Sequence, residues 1–164
     1  MTLARRSTTM LTPDMKRVVT EHPLGYVATA AADGTPNLSP KGTFFVVDDT
    51  TIAFAEIRSP ATMRNLQTNP RIEVNFIDPF VRKGYRFSGT AKVLPRGEGN
   101  FDELLKKSGS SLAPRVRAMV VISVTKALPV ISPAYDDGTA TEDKIRKSWT
   151  ARFRKMQPSE RFEE

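Results

Sequence analysis

Ser39, Lys41 and Gly42 sit within Gly34-Thr35-Pro36-Asn37-Leu38-Ser39-Pro40-Lys41-Gly42, a run that brings a hydroxyl, a cation and a glycine together. A serine hydroxyl donates and accepts, and a lysine ammonium offers three donors on a point charge. A glycine lets a ligand approach the backbone, and Pro40 stiffens the segment between them. The run leads into the apolar stretch Thr43-Phe44-Phe45-Val46-Val47. A turn at Asp33-Gly34 thus feeds a strand whose edge suits something flat and negatively charged.

Two further segments carry cations beside hydroxyls or rings. Arg58-Ser59-Pro60-Ala61-Thr62 lies where a strand ends and a helix begins. It reads either as an ordinary helix cap with a solvated arginine or as a phosphate-binding helix mouth, because free N–H groups and the helix dipole favour anions there. Arg82-Lys83-Gly84-Tyr85-Arg86 reads either as a basic hairpin turn or as a cationic loop whose ring stacks on a ligand. Trp149, the sole tryptophan, is first a packing anchor, and His22, the sole histidine, stands before a proline as a cap or surface residue. Asp48-Asp49 and Asp136-Asp137 are turn residues without the pattern of a calcium loop. No Walker loop or dinucleotide fingerprint follows a strand. No side chain stands out as an acid or base, so no catalytic residue is assigned.

The elements that must position these residues follow from pattern. Thr12-Pro13-Asp14 opens a helix over 13–22 that Pro23 ends. Strands are expected at 24–32, 37–47, 51–57, 71–77, 85–94 and 117–128, with Gly89 as a bulge. Short helices fit 60–68, with Ser59 as N-cap, and 101–107. The early strands form successive hairpins, an antiparallel meander, and six evenly spaced strands favour a closed or nearly closed barrel. Residues 1–11 lack periodicity and fray. Beyond Pro129 the pattern changes: Pro133-Ala134-Tyr135 is extended, and 142–156 is a helix with Ile145, Trp149 and Phe153 on one face.

The 164 residues suit one domain, with a core over about 13–130 and an arm over 131–164. There are no cysteines, which removes thiol catalysis, disulfides and cysteine-ligated metals, and one histidine cannot build a histidine metal site. No run spans a membrane and no signal peptide is evident, so a cytoplasmic protein without membrane contact is expected. The net charge is +7, yet only 144–155 is densely basic, flanked by Glu142, Asp143, Glu160, Glu163 and Glu164. Nucleic acid is therefore a weak candidate partner.

The sequence also resembles the pyridoxamine 5′-phosphate oxidase-like, FMN-binding split-barrel family. Three pieces in order carry the resemblance over roughly 24–128: Gly34 to Gly42; Phe54-Ala55 through Arg58-Ser59-Pro60, Thr62, Asn65-Leu66 and Asn69-Pro70; and Gly84-Tyr85-Arg86-Phe87 with Gly89. It implies an α+β, mostly β, six-stranded antiparallel split barrel with short flanking helices. It implies a homodimer with FMN at the subunit interface, deazaflavin or haem being the alternatives. By position, Ser39, Pro40, Lys41 and Gly42 would follow the isoalloxazine and ribityl chain. Ala55, Glu56, Arg58, Ser59 and Thr62 would approach the ring edge and phosphate, and Asn65 would steady the helix. Lys83 or Tyr85 would come from the second chain, and Trp149 would cover the site. Vitamin oxidases carry an arginine at the position of Ser39 and an Arg-Lys pair at Ala61-Thr62, which separates this chain from the vitamin oxidase itself. The expected function is FMN-dependent oxidoreduction of an unspecified small molecule, the alternative a flavin or haem carrier without turnover.

Overall fold

The structure is a computed structural model and describes residues 10–157. Its strands are β1 (Gly25–Ala30), β2 (Pro36–Lys41), β3 (Phe44–Val46), β4 (Thr51–Glu56), β5 (Arg71–Asp78), β6 (Lys83–Pro95) and β7 (Ala118–Ile131). The helices are α1 (Pro13–Glu21), α2 (Pro60–Thr68), α3 (Phe101–Ser108) and α4 (Glu142–Met156). Every strand pair is antiparallel, and the order across the sheet is β2-β1-β5-β6-β7-β4-β3.

That order explains the barrel. β2 and β3 occupy opposite edges of a seven-stranded sheet, yet only Gly42 and Thr43 separate them in sequence. Three Cα steps span at most about 11 Å, whereas the edges of a flat sheet of that width lie about 29 Å apart. The sheet must curl until its edges meet, and the closure is covalent rather than hydrogen-bonded. This is a split β-barrel.

The same crossing corrects two expectations. The strand expected over 37–47 is two strands, so the count is seven rather than six. Its first half pairs with β1 and its second with β4, and one straight strand cannot lie on both edges. For the same reason the early hairpins do not continue into a simple meander. The bulge expected at Gly89 is present, as a register shift between Ser88 and Gly89 against β7.

Inward-facing rings fill the barrel. Phe44 packs on Phe54 and Phe76 at centroid distances of 5.1 and 4.9 Å, and Phe76 on Phe87 at 5.8 Å. The last two pairs meet edge to face, which adds to the burial of the rings themselves. α1 contributes Val18 and Val19 to this core, and Leu11 joins it. The expectation of fraying at 1–11 fails at Leu11, which is buried and donates its N–H to Asp49 O at 2.7 Å. The rest of that expectation, at 1–9, lies outside the described residues, as do Glu160, Glu163 and Glu164. α3 closes a second cluster through Phe101 and Leu104. Pro133–Tyr135 is a turn of 3-10 helix rather than extended chain, because Ser132 Oγ accepts from Ala134 N and tightens the start.

Thr12 caps α1 as its type predicts. Its hydroxyl accepts from Met15 N at 3.3 Å while the Met15 sulfur accepts from Thr12 N at 3.5 Å. Thr12→Ala is expected to cost about 1 kcal/mol. That corresponds to a Tm drop of roughly 2–4 °C in thermal unfolding.

Candidate functional site

β2 and α2 meet over β1 through a short polar network. Asn37 Nδ2, on β2, donates to Thr29 Oγ1 and to Thr62 Oγ1, each at 3.1 Å. Asn65 Nδ2, on α2, donates to the same Thr29 hydroxyl at 3.0 Å. Thr62, Asn65 and Thr29 are buried, so each unmade bond would leave a desolvated polar atom. The network fixes the first turn of α2 against the strand that carries Ser39 and Lys41. Asn65 thus steadies the helix. Asn37 and Thr29 had no assigned role in the sequence; Asn37 stood inside the Gly34–Gly42 run, but nothing in the one-dimensional pattern marks Thr29.

The second link runs through Glu56 at the end of β4. Glu56 is 3% exposed and accepts a short hydrogen bond from the Ser59 hydroxyl. Lys41 is 8% exposed and donates to Ser39 Oγ. Burial pushes the Lys41 ammonium below its ordinary value, and the Glu56 carboxylate pulls it part of the way back. Lys41 thus carries a desolvated charge that Glu56 answers in part and that an arriving anion would answer further.

Ser59 holds the N-cap position of α2 but does not cap it with its side chain. Its hydroxyl is spent on Glu56, which corrects the expectation of an ordinary serine cap. Pro60 at the first helical position has no N–H, so the uncapped donors of this turn are those of Ala61 and Thr62. A helix start with free N–H groups and no acidic residue in its first turn is suited to an anion. Arg58, exposed, stands just outside it.

The remaining residues at this end frame open space. Gly42 is exposed, and a Cβ built on it would meet nothing within 4 Å. With Thr43 to Val46 it lines a groove of about 600 Å³. Pro40 is exposed on the outer face, paired with Tyr26. The Ala55 side chain is buried in the second core cluster, and its carbonyl accepts from Thr43 Oγ1 at 2.7 Å. A groove of about 750 Å³ over β1, β5 and β6 includes Thr29, Asn69 and Gly89 but none of the candidate cofactor-binding residues.

Lys83, Tyr85 and Trp149 form a separate group. Lys83 Nζ donates to Glu142 at 2.8 Å and lies 4.4 Å from the Tyr135 ring centroid; the bond to Glu142 raises its pKa. Tyr85 donates its hydroxyl to Asp14 at 2.6 Å, which raises the tyrosine and lowers the carboxylate. Trp149 lies between Arg82 and Arg152, at 4.3 and 5.0 Å from its ring centroid, and touches Phe153. Within one chain these contacts fasten α4 to the β5–β6 end and do not reach Ser39 or Lys41. Asp78, 2% exposed, joins them, with His22 Nε2 at 3.4 Å and an Arg146 nitrogen at 3.6 Å. His22 is thereby placed at the end of α1, away from the β2–α2 junction.

Among the described residues no group of side chains could hold a metal ion, and no helix is long and apolar enough to cross a membrane. The chain matches a family model described as pyridoxamine 5′-phosphate oxidase over residues 11–130. HupZ from Group A Streptococcus is similar at 29% identity over 75% of this chain and 96% of that one, with a TM-score of 0.64. An FMN-binding protein from Syntrophomonas wolfei shares 17% identity over 74% of this chain and 87% of that one, TM-score 0.63. HutZ, a haem storage protein from Vibrio cholerae, shares 20% identity over 75% and 95%, TM-score 0.56. At these last two identities the likeness is one of fold alone. Comparison with curated protein sequences gives no match.

Proposed function

Since this chain belongs to the pyridoxamine 5′-phosphate oxidase family, we propose that it is an FMN-binding oxidoreductase whose cofactor lies where β2 meets the mouth of α2. The observation that carries this reading is the Asn37–Thr62 hydrogen bond of 3.1 Å, which ties the strand of Ser39 and Lys41 to the uncapped turn at Ala61 and Thr62. The donor set fits a phosphorylated flavin. The α2 mouth offers backbone N–H groups and Arg58 to the phosphate, and Ser39 and Lys41 offer a hydroxyl and a cation to the ring side. Bound FMN would supply two-electron and one-electron chemistry. The protein's own part is to bind, orient and bias it: the Lys41 charge favours an anionic form of whatever lies beside it. Glu56 is held by Ser59 and offset by Lys41, so it does not oppose an anion with a free charge.

A homodimer is part of this reading. The outer faces of β1 and β2 expose Tyr26 (44%) and Leu38 (67%), and Pro40 pairs with Tyr26 on the same face. Next to Tyr26 in register is Asn75, whose Oδ1 is buried without a hydrogen-bond partner. A second copy seated there would cover this apolar area. Catalysis and carriage without turnover differ in one readout. Reduction of bound FMN by NADH or NADPH and its reoxidation by oxygen support the enzyme; FMN inert to both supports the carrier.

Gly42 supplies a selective test. A valine there enters space that the chain leaves empty. Gly42→Val is expected to leave the ligand-free Tm within about 2 °C, as surface changes do. It should weaken FMN uptake at least about tenfold by taking the cofactor's room. Equal losses of stability and binding would remove Gly42 from the site.

A further inference from the structure

Four arginines line a cleft at the far ends of β4 and β7. Arg58, Arg96, Arg115 and Arg117 face a cavity of about 600 Å³ whose lining contains no carboxylate. Arg96 is committed to the scaffold. Its guanidinium donates to Val116 O at 2.9 and 2.7 Å and to Ala113 O at 2.7 Å, and it lies 5.2 Å from the Phe101 ring centroid. Those bonds hold the turn that carries Arg115 and Arg117. Among the described residues, Arg58, Arg115 and Arg117 make no ion pair, and all three are exposed.

The cleft adjoins the β2–α2 site. Arg117 donates its N–H to Glu56 O at 2.8 Å, and Glu56 is the residue that accepts from Ser59 at the α2 mouth. Arg58 belongs to both places. Crowded like charges cost free energy unless an anion sits among them, and guanidinium groups match phosphate oxygens in pairs.

We propose that this cleft binds the diphosphate group of a second ligand, beside but distinct from the cofactor's own phosphate site. The inference rests on the FMN reading only for the word "second"; the anion site itself stands on the arginines. Free diphosphate and the diphosphate of a dinucleotide share this chemistry.

The test uses the full chain loaded with FMN, and calorimetric titration of inorganic pyrophosphate and of oxidised NAD⁺ at fixed ionic strength. The variants are Arg115→Ser with Arg117→Ser, and the single Arg115→Lys. Both ligands should bind wild type, and the double variant should lose at least about tenfold in affinity for each, since two charge-assisted contacts are gone. FMN affinity should not change. The lysine variant, which keeps the charge and loses the fork, should fall between. Guanidiniums stay charged, so the arginines themselves give the affinity no pH dependence around neutrality. NAD⁺ binding well above pyrophosphate assigns the cleft to a dinucleotide; pyrophosphate binding equally tightly assigns it to diphosphate alone. Unchanged affinity in the double variant, or binding that chloride displaces equally in both proteins, overturns the proposal. Dissociation of a dimer in the double variant without any diphosphate effect also overturns it, since the arginines then meet carboxylates of a second copy. Failure of FMN loading, with arginine-dependent pyrophosphate binding retained, would sink the cofactor reading and leave this site standing.

Discussion

Ala61→Glu should strongly weaken FMN binding while making the ligand-free protein slightly more stable. Ala61 is the second residue of α2, in a first turn with no acidic side chain and no side-chain cap. A carboxylate there answers the helix dipole and contributes about 0.3–1 kcal/mol. It also puts a negative charge where the cofactor's phosphate would sit. At about 4 Å and an effective dielectric of about 20, each unit charge on the phosphate is repelled by about 4 kcal/mol. Even half of that is a loss of about 30-fold in affinity. Riboflavin, which has no phosphate, should bind wild type and variant alike. Measured together, Tm and the two affinities separate the reading from its alternatives. A variant that binds FMN as well as wild type would move the phosphate away from α2.

Gly84→Ala should be among the most destabilising single changes in the barrel. A Cβ at Gly84 would lie 2.8 Å from Ile77 Cα and closer still to the Phe76 carbonyl oxygen. These are backbone atoms of β5, paired in register with β6 across Ile77 and Gly84, and they cannot swing aside as a side chain would. Phe76 is buried at the centre of the aromatic core, so a displaced β5 disturbs its packing on Phe44 and Phe87. Overpacking of this kind costs about 1–3 kcal/mol or more. For a chain of this size the fall in Tm is roughly 2–12 °C. Thermal unfolding measures it directly, and an unchanged Tm would mean that the two strands are looser than their register implies. The glycine had been singled out in the sequence as part of a cationic loop; its structural reason is the close approach of β5.

Local structure was readable from the sequence where one residue type dictates one geometry. Thr12-Pro13 began a helix, Gly89 made a bulge, and α4 spans the range its spacing gave. The split of 37–47 was not readable. Gly42 and Thr43 look like any two residues of a strand, and only the pairing of the flanking halves with β1 and β4 shows that they bridge the two sheet edges. Leu11 is not legible because a single apolar residue has no period, and the Asp49 carbonyl that accepts its N–H lies far along the chain. At the site, residue types marked Ser39, Lys41, Arg58 and Thr62, since hydroxyls and cations beside glycine and proline are locally visible. The joints between them were not. Thr29 lies on an apolar-looking strand, and its hydroxyl matters only because amides from β2 and α2 converge on it. The four-arginine cleft is equally hidden, because its members come from three separate turns and only Arg58 stands in a marked segment.

The central claim is that β2 and the α2 mouth together hold a phosphorylated flavin. Titration of purified, ligand-free protein with FMN and, separately, with riboflavin, followed by quenching of flavin fluorescence, tests it most directly. The account predicts saturation at one FMN per chain, with riboflavin bound at least about tenfold more weakly because the α2 donors find no phosphate. Protein that takes up no FMN, or that binds riboflavin as tightly as FMN, contradicts it.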